Sequence, residues 1–539
     1  MFSVYLFIFF ACFIFYFWYG LRHSLHMMQL SSYFSDRFLL WLKENKRKEE
    51  TFLLAGLIVI NLAFGKVMPL GLYLTLHSVI FLVLRLTKKK RVEKKALVLT
   101  WRVRRLLITF TLLCVAVITI LGALLVKMGK NSFWWELPAL LGFIVLMKDS
   151  FLLLANFINQ PIEARIAQGY IDDAKKRLSE LPDLKVIGVT GSFGKTSTKY
   201  ILNQLLSTQY QTLMTPESYN TPMGVTRTIR ESLNGTHQIF IVEMGAKKVG
   251  DIKEICDIVH PSIGVISSIG EMHLETFHSL DNIIRTKFEL ADAVGKDGLM
   301  FLNYDNEYIR KEKRDQPKVR YGIGRSSQDN QQLDVWAEDI EVGPGGSSFE
   351  LCFKNGEKIH CRTKLLGRHN VVNITAGAAV AYSLGIEPTK LLPAINRLEP
   401  IPHRLQLMPP GPKYQIIDDA YNSNPEGAKQ ALEILGSFEG YRVVATPGMV
   451  ELGNMEEELN RRLGRQAARN CDYIIIVGAN RSFGIQDGAK RAGYDVNKIY
   501  VAKDIKDAFA KADELADTRP DQREPMYLLL ENDLTDNYL

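Results

Sequence analysis

Over the first 160 positions apolar side chains come in long unbroken stretches, and beyond them in short runs closed by Gly, Asp or Asn. Positions 1–21 carry no charged side chain, enough for one helix to cross a hydrocarbon core of about 30 Å. The run ends in aromatics followed by Arg22, with no basic residue before it and no small-residue cleavage site after it, so it reads as a retained anchor. Four more apolar stretches follow at 51–64, 70–86, 106–126 and 135–158. The stretch at 51–64 is short for a span, so with 70–86 it forms either two spans or a re-entrant hairpin bent at Pro69. The connections alternate between Lys/Arg-rich (22–48, 88–105) and Lys/Arg-poor. By the positive-inside rule this predicts an outside N-terminus, about five spans and everything after Gln160 in the cytoplasm. Lys148 and Asp149 fall inside the last span, where ionisable groups pair with other spans, line a polar pocket or mark a helix break.

From 161 to 183 the pattern becomes that of a linker and an amphipathic helix, followed by the strand-length run at 185–189. The segment VIGVTGSFGKTSTKY then sets a Gly-rich turn between a buried strand and a helix beginning near Lys195. Backbone N–H groups of such a turn form an anion nest at a helix N-terminus. Lys195 would reach the terminal phosphates of a nucleotide and Thr196 would ligate Mg²⁺. The match is T-G-x-x-G-K-T, with Val189 where a strict Walker A has its first Gly, and it leaves ATP and GTP both open. Further strands place Glu243, His273 and then Asn303 and Asp305 at carboxyl ends, where a doubly wound sheet gathers its ligand chemistry, and Lys287 follows in a helix. The predicted class is α/β behind a multi-span α-helical membrane region.

Charge divides the chain in the same place. Residues 1–160 hold 20 Lys/Arg and 7 Asp/Glu, whereas residues 161–539 hold 46 and 52. The overall +7 therefore belongs to the membrane segment, and an acidic folded part excludes nucleic acid as a partner. The six cysteines include no C-x-x-C pair and no cluster with His at zinc-ligand spacing, a pattern of reduced thiols that argues against structural zinc and a disulfide framework.

The runs TGSFGKTST (190–198), ESYNTPMGV (217–225), VEMGA (242–246), SSIGEMHLETF (267–277), LNYDNE (302–307), GRHNVVN (367–373), PHRLQ (402–406) and IDDAYNSNP (417–425) together resemble the Mur ligase family. Within it DDAYNSNP and GMVELG are most similar to the branch that adds D-alanyl-D-alanine. The resemblance implies a central ATPase domain over 184–398 and a Rossmann-like C-terminal domain over 399–539, behind the membrane region 1–160 and the linker 161–183. It implies an ADP-forming carboxylate–amine ligase that uses ATP and two Mg²⁺ and passes through an acyl phosphate. Thr190, Gly191, Ser192, Phe193, Gly194, Lys195, Thr196 and Ser197 would hold the phosphates, with Asn303, Arg404, Asp418, Asp419 and Tyr421 as further nucleotide contacts. Thr196, Glu243, His273 and Lys287 would serve the metals, Lys287 as a carbamate, and Lys195, Lys287, His273 and Glu243 would carry the catalysis. Two departures stand out. Membrane helices occupy the place of the family's UDP-holding domain, and the last strand ends in Glu531 and Asp533 where the D-alanyl-D-alanine-adding branch has a basic, Ser-containing turn. Expected partners are therefore the lipid membrane, an amino-acid or dipeptide donor, and a carboxylate-bearing envelope precursor that is UDP-linked, lipid-linked or polymeric. The D-alanyl-D-alanine-adding reaction of peptidoglycan synthesis itself, a capsule-type poly-amino-acid synthase, and an ATP-driven transporter or scaffold are the competing readings.

Overall fold

The computed structural model describes residues 2–45, 68–88, 96–127, 133–217, 219–272, 274–324, 332–421, 423–450, 452, 455–479 and 481–533. The chain divides into two compact units between Gln168 and Gly169.

Among the described residues three helices, Phe2–Leu30, Trp101–Lys127 and Phe133–Ser179, contain segments long and apolar enough to cross a membrane, and Leu70–Leu86 is a shorter apolar helix. The stretch at 51–64 and the basic residues 89–95 lie outside the described residues. Phe81 sits among Phe9, Phe13 and Tyr16 of the first helix, with ring centroids 5.4–6.1 Å apart, which joins these two helices through aromatic contact. Lys148 pairs with its neighbour Asp149 at 2.8 Å, and Asp149 accepts from Ser24 Oγ of the first helix at 2.5 Å. Of the three outcomes weighed for this pair, it is a cross-helix polar contact. Arg105 holds Glu163 through two bonds of 2.6 and 2.9 Å.

The sequence reading closes the last span at 158 and starts a separate linker and helix. Instead one helix runs continuously over Phe133–Ser179 with Pro138 and Pro161 inside it. Pro161 forfeits one backbone bond. The residues after it are mostly good helix formers, and Ile171, Ala174 and Leu178 bury against the soluble core, so the helix continues.

Among its described residues the second unit holds two sheets. A nine-stranded sheet has the order β2-β3-β1-β4-β5-β6-β7-β8-β9. Its strands β1 (Lys185–Thr190), β2 (Thr212–Met214), β3 (Ile239–Glu243), β4 (Ile263–Ile266), β5 (Leu299–Asn303) and β6 (Lys318–Ile323) run parallel with β7 (Val335–Gly343). β8 (Gly346–Phe353) and β9 (Lys358–Thr363) extend it antiparallel. β1, β3 and β4 are buried almost throughout because helices cover both faces. Lys195–Leu206 and Arg368–Ser383 pack on one face, and Pro222–Ser232, Asp251–Val259 and Leu280–Val294 on the other. Local signals set the helix starts. Thr221 accepts from Gly224 N ahead of Pro222, and Ser279 accepts from Asn282 N.

The six-stranded sheet has the order β10-β11-β15-β12-β13-β14. β11 (Gln415–Asp419), β12 (Tyr441–Thr446), β13 (Tyr473–Val477), β14 (Ile499–Ala502) and β15 (Met526–Glu531) are parallel, and β10 (Gln406–Leu407) is an antiparallel edge. Cys114, Cys256, Cys352, Cys361 and Cys471 are buried thiols.

Candidate active site

Parallel register brings the carboxyl ends of β1, β3, β4 and β5 to one edge of the large sheet, and the chemistry collects there. β1 ends at Thr190, whose hydroxyl donates to Met244 O at 3.0 Å. The chain then turns through Gly191 and Gly194 (φ +78°) into the helix Lys195–Leu206. A Cβ on Gly191 would stand 2.2 Å from Ser267 Oγ, and one on Gly194 2.8 Å from Asn373 Oδ1, so both positions need glycine for space.

The loop after β4 holds the turn. Ser192 N donates to Ser268 O at 2.7 Å, Phe193 N to Ser268 Oγ at 2.9 Å, and Ser192 Oγ to Gly270 O at 3.0 Å. Ser267 Oγ also donates to Phe193 O, and Asn303 Nδ2 donates to Ser267 O at 2.8 Å, tying the end of β5 to the same loop. The cradle is thus held by backbone carbonyls and serine hydroxyls of a second loop.

Lys195 Nζ donates to the carbonyls of Gly191 and Ser192 at 2.7 and 3.0 Å. Burial brings its pKa down to about 8, opposed by Glu243 and reinforced by Arg404. Thr196 Oγ1 donates to Glu243 Oε1 at 3.1 Å, and Asn220 Nδ2 donates to the same oxygen at 3.1 Å. Glu243 is buried at the end of β3, and Thr215 Oγ1 accepts its backbone N–H. A carboxylate and a hydroxyl this close, both hard oxygen donors, fit Mg²⁺ chemistry. Lys287 is buried, and burial together with the Lys195 charge holds its pKa well below the ordinary lysine range, against the raising influence of Asp251 and Glu289. His273 lies outside the described residues, and among the described residues no group of three or more His, Cys, Asp or Glu forms a metal cluster.

The second sheet contributes Arg404, whose guanidinium lies 4.4 Å from the centre of the Tyr421 ring and whose charge reaches Lys195. Asp418 pairs with His403 Nδ1 at 2.7 Å, and Asp419 accepts from Leu405 N at 3.1 Å. Asp419 and Glu531 are register partners at adjacent strand ends. Burial pushes Asp419 up to about 8, with the Glu531 charge adding to the effect, and burial pushes Glu531 up to about 7 although Ser423 and Thr446 both donate to it.

Sequence reading missed Lys199. It lies one helical turn after Lys195, fully buried, with Nζ 3.0 Å from Glu243 Oε2 and donating to Glu217 O at 2.5 Å. The contact with Glu243 is an ion pair lying off the hydrogen-bond line. Burial lowers its pKa and the neighbouring Glu243 raises it. The i,i+4 spacing of the two lysines was the available signal.

Residues 189–381 match the Mur ligase middle domain, and residues 403–521 match the Mur ligase glutamate ligase domain. The UDP-N-acetylmuramoyl-tripeptide–D-alanyl-D-alanine ligase of Bacillus subtilis is 31% identical over 319 residues, 59% of this chain and 67% of that protein. The chain belongs to the Mur ligase family. Among solved structures of the family, MurF from Acinetobacter baumannii superposes with a TM-score of 0.61 at 28% identity, covering 68% of this chain and 77% of that one. MurF from Thermotoga maritima in complex with ADP gives 0.58 at 25% identity, covering 68% and 80%. Mur ligases are ATP-dependent, ADP-forming ligases, so this chain is a ligase that uses ATP, and the choice between ATP and GTP left open by the loop is made.

Proposed function

We propose that this Mur ligase is anchored in the cell membrane and joins an amino acid or short peptide, through its amine, to a carboxylate of a cell-envelope precursor at the cytoplasmic face. The observation that carries this reading is the phosphate loop with Lys195, Thr196 and Glu243, preceded in the chain by long apolar helices where the family resemblance implies a UDP-holding domain. An anchor confines the site to a thin layer and raises its effective concentration toward a membrane-borne substrate. The proposed domains are the membrane region 1–160, a connecting segment 161–183, the ATPase domain 184–398 and the C-terminal domain 399–539. The N-terminus lies outside.

In the proposed reaction a carboxylate oxygen of the precursor attacks the γ-phosphorus of ATP and ADP leaves, giving an acyl phosphate. The amine then attacks the acyl carbon, phosphate leaves, and the amine gives up a proton. Phosphorylation is needed because a bare carboxylate is a poor electrophile. The loop Thr190–Ser197 orients the phosphates through Lys195 and those of its N–H groups that Ser268 does not take up, while Asn303, Arg404, Asp418, Asp419 and Tyr421 frame the rest of the nucleotide. Thr196 and Glu243 would hold one Mg²⁺, and His273 and Lys287 a second. Bound Mg²⁺ supplies charge neutralisation on the transferred phosphate. Lys287 is held toward its neutral amine, the form that adds CO₂, which supports a carbamate there. Lys287→Ala is expected to lose turnover and to recover part of it with a short-chain carboxylic acid. Wild-type turnover in the variant would remove the carbamate from the mechanism.

The activity for which the relatives are named favours a second reading, the D-alanyl-D-alanine-adding reaction of peptidoglycan itself. ADP release by the detergent-purified full-length chain separates the two. A membrane lipid extract plus amino acids or D-alanyl-D-alanine should stimulate it, where UDP-muramoyl-tripeptide plus D-alanyl-D-alanine does not. Stimulation by the UDP-linked pair would establish the second reading instead.

A further inference from the structure

Glu243 presents its two oxygens to different partners. Oε1 takes the Thr196 hydroxyl and the Asn220 amide, both at 3.1 Å. Oε2 faces the Lys199 ammonium at 3.0 Å, with the side chains 0% and 2% exposed. Lys195, one turn earlier on the same helix, is engaged with the loop carbonyls, so the two lysines have separate tasks. Lys199 also grips the backbone of the loop that supplies Asn220, through Glu217 O, and Gly245 N closes that loop by donating to Asn220 O at 2.8 Å.

We infer that Lys199 is a resident counter-ion that keeps a divalent cation off Glu243 until nucleotide phosphates arrive, so that metal and nucleotide load together. The inference rests on the proposed reading in which Thr196 and Glu243 take Mg²⁺. A cation settling on Oε1 meets an ammonium already held by the same carboxylate, in a buried setting where water screens little. Among the described residues no cluster of three acidic or imidazole groups stands by to offset that repulsion. Polyphosphate in the adjacent loop brings the missing negative charge. Without it the carboxylate is already neutralised and the metal gains little. Lys199 acts through Glu243 and is a positioning residue, with no contact to the reacting atoms required of it.

The test is Mn²⁺ binding followed by electron paramagnetic resonance on the detergent-purified full-length chain, with Mn²⁺ alone and with Mn²⁺ plus ADP. Lys199→Met keeps the length of the side chain and removes its charge. It should bind Mn²⁺ alone about tenfold tighter than wild type, with the difference shrinking when ADP is present. Lys199→Arg, which keeps the charge, should behave as wild type. Equal or weaker Mn²⁺ affinity in a Lys199→Met protein that still melts cooperatively and binds ADP overturns the inference. If Lys199→Met does not fold, Lys199→Gln, which retains a donor for Glu217 O, is judged by the same criterion. Glu243→Gln separates the two layers of the argument. If it leaves Mn²⁺–ADP binding unchanged, Glu243 is no metal ligand and the underlying reading fails. If it abolishes binding while neither neutral Lys199 variant changes it, only the role of Lys199 is refuted.

Discussion

At Gly194 the backbone turns with φ +78° and leaves 2.8 Å between a would-be Cβ and Asn373 Oδ1. An alanine there bears about 1–2 kcal/mol of left-handed strain and pushes on Asn373, whose Oδ1 also accepts from Thr198 Oγ1 at 3.2 Å. Gly194→Ala is therefore expected to lower the melting temperature and to weaken ADP binding at least about tenfold, readable by calorimetry. Unchanged binding would mean the turn tolerates a side chain and does not cradle phosphate closely. At this scale the sequence was legible where a residue type has one chemical use. The strand–turn–helix that carries Gly191, Gly194, Lys195 and Thr196 is legible in their spacing. Lys199 is not, because a lysine in a helix is ordinarily solvated and only the fold shows Glu243 waiting beneath it. Ser267 and Ser268 stand inside a family motif, but which serines tie down a loop depends on strand order, which the motif does not carry.

Strand ends decide the next scale. β11 and β15 run parallel with Asp419 opposite Glu531, which forces two carboxylates together at a buried edge. Both hold protons to higher pH when folded, about 8 and about 7, than their ordinary values of 3.8 and 4.5. The folded chain then binds more protons than the unfolded chain across that window. Stability from this pair is complete below about pH 4 and is lost as pH rises through 7–8. Glu531→Gln, which cannot ionise, should flatten the fall in melting temperature between pH 5 and about 9, and an unaltered slope would show that Glu531 does not hold its proton to higher pH in the folded chain. The departure at Glu531 was visible in the sequence as a mismatch with the family, but its partner was not, because β11 and β15 lie over a hundred residues apart. The long helix Phe133–Ser179 was misdivided for the opposite reason. Its composition changes from apolar to amphipathic at Pro161, while its backbone bonds continue.

For the whole molecule, two kinds of chemistry share one chain: apolar helices fit to span a membrane and an acidic α/β ligase. Both were readable in the sequence, the first from unbroken apolar length and charge asymmetry, the second from motifs in order. The substrate was not, since acceptor recognition depends on side chains that different strands and loops bring together. In the proposed reaction ATP activates a carboxylate, and isotope transfer reads that step out. With ¹⁸O in the carboxylate of whichever precursor supports turnover, the released phosphate should carry one ¹⁸O for each amide bond formed. Phosphate that draws its new oxygen only from water, with ADP released whether or not the amine is present, would mean that the loop drives hydrolysis alone and would contradict the ligase account.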